Sequence, residues 1–226
     1  MTDWRSARVV EVRPETARAR TFRLALPEPV AHRPGQHVVV RLTAPDGYTA
    51  QRSYSIASAP DGSDELELTV ERLEGGEVST FLHDEVVVGD LLEVGGPIGG
   101  WFVWDGEAPA VLVGGGSGLV PLMAMLRHAR RLGRSELVRL AVSVRSPADL
   151  LYAAELPGPE TTVVYTREAG SDRPPGRLMA ADLDVLPDAT AYVCGSSPFA
   201  DAASRILVDL GQPVDRIRVE RFGPTG

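Results

Sequence analysis

The sequence predicts an α+β chain of two domains: an antiparallel six-stranded β-barrel over residues 1–105, then an α/β domain with a parallel sheet over 106–226. Three observations carry that prediction. In the first half, apolar residues alternate with polar ones in short runs separated by turns, the period of half-buried antiparallel strands. After Trp104 the runs become continuously apolar and alternate with segments of helical spacing, as strands buried on both faces of a parallel sheet require. The 226 residues, 43% hydrophobic and 24% charged, are enough to bury a core in each half.

Barrel strands are expected at 8–12, 19–26, 37–42, 51–57, 65–72 and 91–94. Between them, Arg33-Pro34-Gly35, Pro45-Asp46-Gly47 and Pro60-Asp61-Gly62 put proline and glycine where a reversal needs a fixed or positive φ. One stretch, 75–83, reads instead as a glycine entry, a hydroxyl cap and one or two helical turns. Past a boundary at 105–108, an apolar strand at 110–113 runs into Gly114-Gly115-Gly116-Ser117-Gly118 and a helix at 119–132. Strands at 138–144, 162–166, 191–194 and 216–220 follow, interleaved with helices at 148–155, 178–183 and 199–210.

Composition removes several classes of function. With 31 acidic against 23 basic residues the net charge is −8, whereas a phosphate-backbone binder needs a basic face, so no nucleic-acid partner is expected. Every basic residue is arginine. The single cysteine, Cys194, cannot close an internal disulfide or hold an iron–sulfur cluster, which takes four ligands. His32, His37, His83 and His128 show no ligand spacing, so no metal is expected, and the turn at Ser117 lacks a nucleophile elbow. No window reaches the roughly 18 apolar residues of a membrane span. The expectation is a soluble, cytoplasmic protein with no membrane partner.

Two segments carry chemistry. A glycine-rich turn between a buried strand and a helix lets the backbone approach a ligand and presents free N–H groups to a diphosphate. The spacing G-G-G-S-G-x-x-P departs from G-x-G-x-x-G, and a tight turn packed under the sheet accounts for the same glycines. Arg52-Ser53-Tyr54-Ser55 places a guanidinium, a phenol and a hydroxyl at one strand edge, where they can meet phosphate and a flat ring system, or form a solvated strand face.

Taken together these segments resemble the ferredoxin-NADP reductase family of flavoproteins, over nearly the whole chain and in the family's order. The matching signatures are RSYS (Arg52 to Ser55), GGEVST (Gly75 to Thr80), GPIGGWF (Gly96 to Phe102), GGGSGLVP (Gly114 to Pro121) and YVCG (Tyr192 to Gly195). The resemblance implies a barrel that binds FAD, with FMN the lesser alternative, a second domain that binds NADPH or NADH, and hydride passing between the two rings. It further implies that Arg52 pairs with the flavin diphosphate, Tyr54 packs on the isoalloxazine, and Ser55 bonds near the flavin N5. Thr69, Val70, Gly76, Val78, Ser79 and Thr80 join the flavin set, with Ser79 read either as a diphosphate ligand or as a plain N-cap. Gly115, Gly116, Ser117, Gly118 and Pro121 would hold the nicotinamide-nucleotide diphosphate. Cys194 and Gly195 would approach the nicotinamide, although a buried small residue at a strand end reads the same way. Ser55, Cys194 and Glu220 form the catalytic set. Departures are Ser196 where many relatives have proline, and a tail, 223–226, beyond Phe222, which either stacks on the flavin or ends a strand.

A 2′-phosphate needs basic and hydroxyl partners beyond the glycine loop. Arg145 with Ser146, and Thr166 with Arg167, supply them, so NADPH is expected over NADH, and Tyr152 is a candidate to stack on adenine. One cysteine leaves any one-electron acceptor on another molecule: a ferredoxin, a haem protein or an oxygenase component. Arg18, Arg20, Arg23 and Arg33 are a candidate docking cluster, Trp101 and Trp104 either lie near an adenine or plug the barrel end, and the protein is expected to be a monomer. Two other readings stand beside this oxidoreductase: a flavin reductase using flavin as substrate, and a nucleotide- or flavin-binding regulatory or subunit module without turnover.

Overall fold

A computed structural model describes residues 3–168 and 174–223. Residues 224–226, the end of the tail that the sequence leaves open, lie outside them. All six barrel strands form: β1 (Trp4–Thr16), β2 (Ala19–Ala25), β3 (His37–Thr43), β4 (Thr49–Ser55), β5 (Glu65–Glu71) and β6 (Leu91–Ile98). They pair antiparallel in the order β4-β3-β6-β1-β2-β5, and a bridge between Ile56 and Leu68 draws the two outer strands together. Alternation explains the interior: Leu66, Leu68 and Val70 of β5 join Phe22, Leu24, Val38, Val40 and Val94 in one apolar core. The helix read from 75–83 is α1 (Glu77–Asp84), which closes one side with Val78 and Leu82 buried.

The second sheet contains β7 (Ala110–Gly115), β8 (Val138–Val144), β9 (Thr161–Tyr165), β10 (Thr190–Ser196) and β11 (Ile217–Phe222), parallel and ordered β11-β10-β7-β8-β9. The chain steps outward from β7 to β9, then returns to the other side of β7 as β10. That reversal opens a crevice between the carboxyl ends of β7 and β10, where open α/β sheets bind ligands. Helix α2 (Leu119–Leu132) covers one face and α3 (Ser197–Asp209) the other.

Two expected helices are absent. Over 148–155 the chain makes a 3-10 turn at Pro147–Asp149 and then a bend, because Tyr152 adopts φ 54°. Around 178–183 only a single 3-10 turn, Ala180–Asp182, forms.

The bend at Tyr152 serves the seam between the domains. Its buried hydroxyl donates to Thr69 Oγ1 at 2.5 Å, Thr69 and Thr21 share a hydrogen bond at 2.7 Å, and Thr21 donates to Glu15 at 2.8 Å. The other Glu15 oxygen accepts from the Tyr152 backbone N–H at 3.1 Å, which closes the ring of bonds. Tyr152 is therefore occupied with the barrel and does not stack on adenine. Beside it, Arg127 of α2 donates to Glu155 at 2.5 and 2.9 Å, to Glu67 of β5 at 2.7 Å and to the Ala57 carbonyl at 2.9 Å. Burial works against this cation, but the bonds to Glu155 and the charge of Glu67 outweigh it and raise the Arg127 pKa. Trp104 is also in the seam, buried, with its indole N–H on the Ala108 carbonyl at 2.8 Å. It packs with the apolar cluster beneath α2 and not with the barrel core, so it does not plug the barrel; Trp101, 63% exposed, does not either.

Arg127→Met keeps the stem and removes the fork, leaving Glu67 and the Ala57 carbonyl without their donor. Hydrogen bonds to charged groups contribute roughly 1.5–3 kcal/mol, and a loss of that order is expected in urea unfolding. A midpoint equal to wild type would remove the fork from the account of the seam.

Candidate active site

β4 ends at Ser55, which is paired with His37 of β3, and the Ile56 N–H continues to the Gln36 carbonyl at 3.0 Å. His37 also faces Ile98, so Ser55 and the segment following β6 share one end of the barrel. That segment meets the parallel sheet. Tyr192 of β10 donates to the Val103 carbonyl at 2.9 Å, and the Phe102 and Tyr192 rings meet edge to face with centroids 5.4 Å apart. One dipeptide further along, roughly 6–7 Å, the same face of β10 carries Cys194. Register pairs Cys194 with Gly114 of β7 on one side and with Glu220 of β11 on the other. Ser55, the glycine turn, Cys194 and Glu220 thus belong to the two ends that confront each other.

The glycines of the turn have separate reasons. A Cβ on Gly118 would lie 2.1 Å from the Cys194 carbonyl oxygen, and one on Gly115 would lie 2.6 Å from the Phe199 ring, so both are required by packing. A Cβ on Gly195 meets the same ring at 2.6 Å. Gly116, at φ +56°, meets nothing within 4 Å and is exposed. Packing and an open approach for a ligand thus divide the loop between them. Gly118 caps α2 without a side-chain bond and no acidic residue occupies the first turn, so the positive end of the helix dipole faces the turn with no carboxylate against it, although the Leu119 N–H is bonded within the 3-10 turn and Pro121 has none. Ser117 is half-buried in the 3-10 turn at Gly116–Gly118, whereas Pro121 is buried inside α2 and shapes the turn.

On the barrel side, Tyr54 is half-buried, and burial pushes its phenol up to about 12, so it is neutral. Arg52 is exposed, and among the described residues its guanidinium bonds only the adjacent Gln51 carbonyl, at 2.7 Å. The helix expected to face the diphosphate begins at Gly76. Ser79 departs from both of its readings: its buried hydroxyl donates to the Gly76 carbonyl at 3.1 Å and accepts the Leu73 N–H at 3.2 Å, knotting the turn before the helix. Val78 and Val70 are core side chains, and Thr69 is spent on Tyr152 and Thr21, so these residues have only backbone to offer a flavin. Thr80 is half-buried on α1.

On the nucleotide side, the Arg167 N–H donates to the Arg145 carbonyl at 2.9 Å, and the Thr166 N–H to the Val144 carbonyl at 2.9 Å. Both arginines are exposed, side by side beyond β8 and β9, and neither makes an ion pair among the described residues. Ser146 differs from expectation: its buried hydroxyl donates to Asp149 at 2.7 Å. The proposed docking cluster also dissolves. Arg23 pairs with Glu11 and Glu65, Arg20 holds the His83 carbonyl at 2.6 Å, and Arg33 lies on a different loop. Arg52, Arg145 and Arg167 have no carboxylate partner among the described residues, so their charges fit a flavin diphosphate and a phosphorylated nucleotide.

Burial sets the charge states at the crevice. Cys194 is fully buried; desolvation first, then the nearby Glu220 charge, push its thiol well above the usual range, so it is a neutral S–H. Desolvation alone raises the Glu220 carboxyl to about 7. The sequence placed Glu220 on a strand end but carried no signal for that shift.

The fold and site define a two-domain oxidoreductase with a flavin barrel and a nicotinamide-nucleotide sheet. Residues 6–103 match the oxidoreductase FAD-binding domain family, and residues 112–205 match the oxidoreductase NAD-binding domain family. The chain belongs to the ferredoxin-NADP reductase family of FAD- and NAD-binding oxidoreductases. It is 35% identical over its full length to a flavohemoprotein of Bordetella pertussis, and 31% identical over 95% of its length to the reductase component of propane 2-monooxygenase from Rhodococcus jostii. It spans 62% of the length of each of these relatives. Among solved structures it resembles the FAD/NAD-binding domain of a nitric oxide dioxygenase from Vibrio cholerae, with a TM-score of 0.88 and 29% identity, covering 97% of this chain and 99% of that one. A cytochrome P450 reductase from Amycolatopsis gives a TM-score of 0.85 at 29% identity, covering 100% of this chain and 71% of the other.

No helix among the described residues is long and apolar enough to cross a membrane, and no group of His, Cys, Asp or Glu among them is arranged to hold a metal.

Two outcomes follow. Gly118→Ala must displace β10 and is expected to cost more than the roughly 1–2 kcal/mol expected for Gly116→Ala, where only the left-handed φ opposes the side chain; equal midpoints in urea would contradict the packing argument. Glu220 holds its proton more tightly folded than unfolded, so its contribution to stability is present at low pH and is lost as pH rises from the ordinary carboxylate value through about 7. Glu220→Gln should flatten that part of the stability–pH curve. Curves that superimpose would refute the raised value.

Proposed function

We propose that this chain is an FAD-dependent oxidoreductase that takes hydride from NADPH and passes electrons to a separate acceptor, such as a ferredoxin, a haem protein or an oxygenase component. The observation that carries the reading is the convergence at one crevice of the β4 end, the open glycine turn and the Cys194–Glu220 pair. When bound, the flavin supplies hydride acceptance and the release of electrons one at a time. Arg52 and the α1 N–H groups hold its diphosphate. Tyr54 would lie against the ring, and the Ser55 hydroxyl would be its donor at the end of β4. The α2 N-terminus holds the diphosphate of the nicotinamide nucleotide.

Cys194, neutral, small and fully buried at the end of β10, would back the nicotinamide site without adding charge. Glu220, its pKa near 7, would take up or give a proton beside the flavin site, and Phe222, on the same face of β11, would cover that site in the absence of nucleotide. NADPH is preferred because Arg145 and Arg167, which make no ion pair among the described residues, stand side by side where they would flank one 2′-phosphate; Ser146, tied to Asp149, is no part of that clamp. The match to an FAD-binding domain supports FAD over FMN. The names of relatives that are reductase components of oxygenase systems support an external acceptor. The reading extends to a monomer working in the cytoplasm, in two domains, 1–105 and 106–226.

The test is steady-state oxidation of each nucleotide by flavin-loaded protein, with the released flavin identified. FAD and a preference for NADPH are expected. Replacing both Arg145 and Arg167 with Ala should lower kcat/KM for NADPH by about 10- to 100-fold, on the scale of one or two charge-assisted bonds, and leave NADH nearly unchanged. Equal use of NADH by the wild type would reject the clamp.

A further inference from the structure

β11 is the edge strand of the parallel sheet, so the sheet holds it from one side only, through β10. Its two faces are unequal. Ile217 and Val219 pack into the apolar cluster under α3. The other face, in register with Tyr192, Cys194 and Ser196, carries Arg218, Glu220 and Phe222 and contributes nothing to the apolar cluster beneath α2. Hydrophobic burial therefore cannot fasten β11 to the barrel. One side chain does so by polar means. Arg218 Nη1 donates to the Trp101 carbonyl at 2.9 Å and the Val103 carbonyl at 3.0 Å, and lies 3.3 Å from the Tyr192 hydroxyl. Its guanidinium carbon sits 5.2 Å from the Trp101 ring centroid and 5.4 Å from that of Tyr192.

Both carbonyls belong to the barrel segment that follows β6. Trp101 is 63% exposed, so this ring is held by the cation rather than by a core. The contact stands one dipeptide before Glu220 on the same face of the same strand.

We propose that Arg218 is a positioning residue for hydride transfer: its clasp on the 101–103 segment fixes the edge strand against the barrel and so sets where Glu220 and Phe222 stand relative to the flavin. The inference rests on the proposed function for its catalytic consequence and on the strand geometry for the clasp itself. Arg218 touches no reacting atom. It differs from Arg127, which spans the opposite part of the seam from α2, because it restrains only the strand that carries the carboxyl group. A structural fastening alone would alter stability. A positioning role alters the rate of the chemical step more than the binding of either nucleotide.

Two variants separate the roles. Arg218→Met keeps the stem and removes every donor, and Arg218→Lys keeps the cation over Trp101 with fewer donors. Hydrogen exchange of full-length, flavin-free protein, followed by mass spectrometry, reads the clasp: Arg218→Met should accelerate exchange across 217–222 and leave β7 and β8 unchanged. Anaerobic rapid mixing of flavin-loaded protein with NADPH reads the consequence. The limiting rate of flavin bleaching should fall by about 10- to 100-fold, the scale of a misplacement near 1 Å. The apparent nucleotide affinity should stay within about threefold, far below the tenfold that one charge-assisted bond represents, and Arg218→Lys should recover part of the rate. Wild-type bleaching in Arg218→Met would overturn the proposal, as would a loss confined to nucleotide affinity or flavin content. If NADPH and NADH both fail to bleach the wild-type flavin, the functional reading falls instead, and exchange across 217–222 then decides the clasp on its own: unchanged exchange overturns it.

Discussion

Hydride can cross between two rings only when both are held within contact distance and aligned. Here the two rings belong to different domains, so the seam between barrel and parallel sheet is the constraint on which the rest depends. It is built largely from directional bonds. Arg127 joins Glu67 and the Ala57 carbonyl of the barrel to Glu155 of the sheet domain, and Ala57 is two residues beyond Ser55. The ring of bonds through Tyr152, Thr69, Thr21 and Glu15 fixes a second point. Directional contacts resist sliding as well as separation, which an apolar interface alone does less well.

The same economy governs the arginines. Many form ion pairs or hold carbonyls within the fold, as Arg23, Arg127 and Arg218 do. Arg52, Arg145 and Arg167 have no carboxylate partner among the described residues. In a chain of net charge −8, these three cations without a carboxylate partner are suited to the phosphate-binding roles proposed for them. At the crevice the logic is reversed: burial removes charge from Cys194 and raises Glu220 toward neutrality, and a neutral lining suits the approach of an uncharged ring.

Much of this was legible in the sequence, for reasons that differ by element. Strand alternation and the Pro-Gly turns are local signals, and all six barrel strands and the helix at 119–132 followed from them. The signatures located Ser55, Gly114 to Gly118 and Cys194, because each stands where a strand ends. Non-local chemistry was not legible. The helix expected at 148–155 is replaced by a bend because Tyr152 turns toward a threonine 83 positions earlier, a tertiary demand with no trace in local spacing. Ser79 and Ser146 carry the right functional group, yet each is spent on its own turn. The opposed domain ends that make the crevice emerge only when strand order is known, since β10 returns beside β7 with 79 residues between Gly114 and its partner Cys194, β8 and β9 among them in sequence.

The measurement closest to the central claim is the absorbance of flavin-loaded protein mixed with NADPH in the absence of oxygen. Stacked nicotinamide and flavin rings should produce a transient long-wavelength charge-transfer band, outside the flavin's own spectrum, that decays as the yellow colour bleaches. Bound flavin that neither bleaches nor gives such a band with either nucleotide would contradict the account.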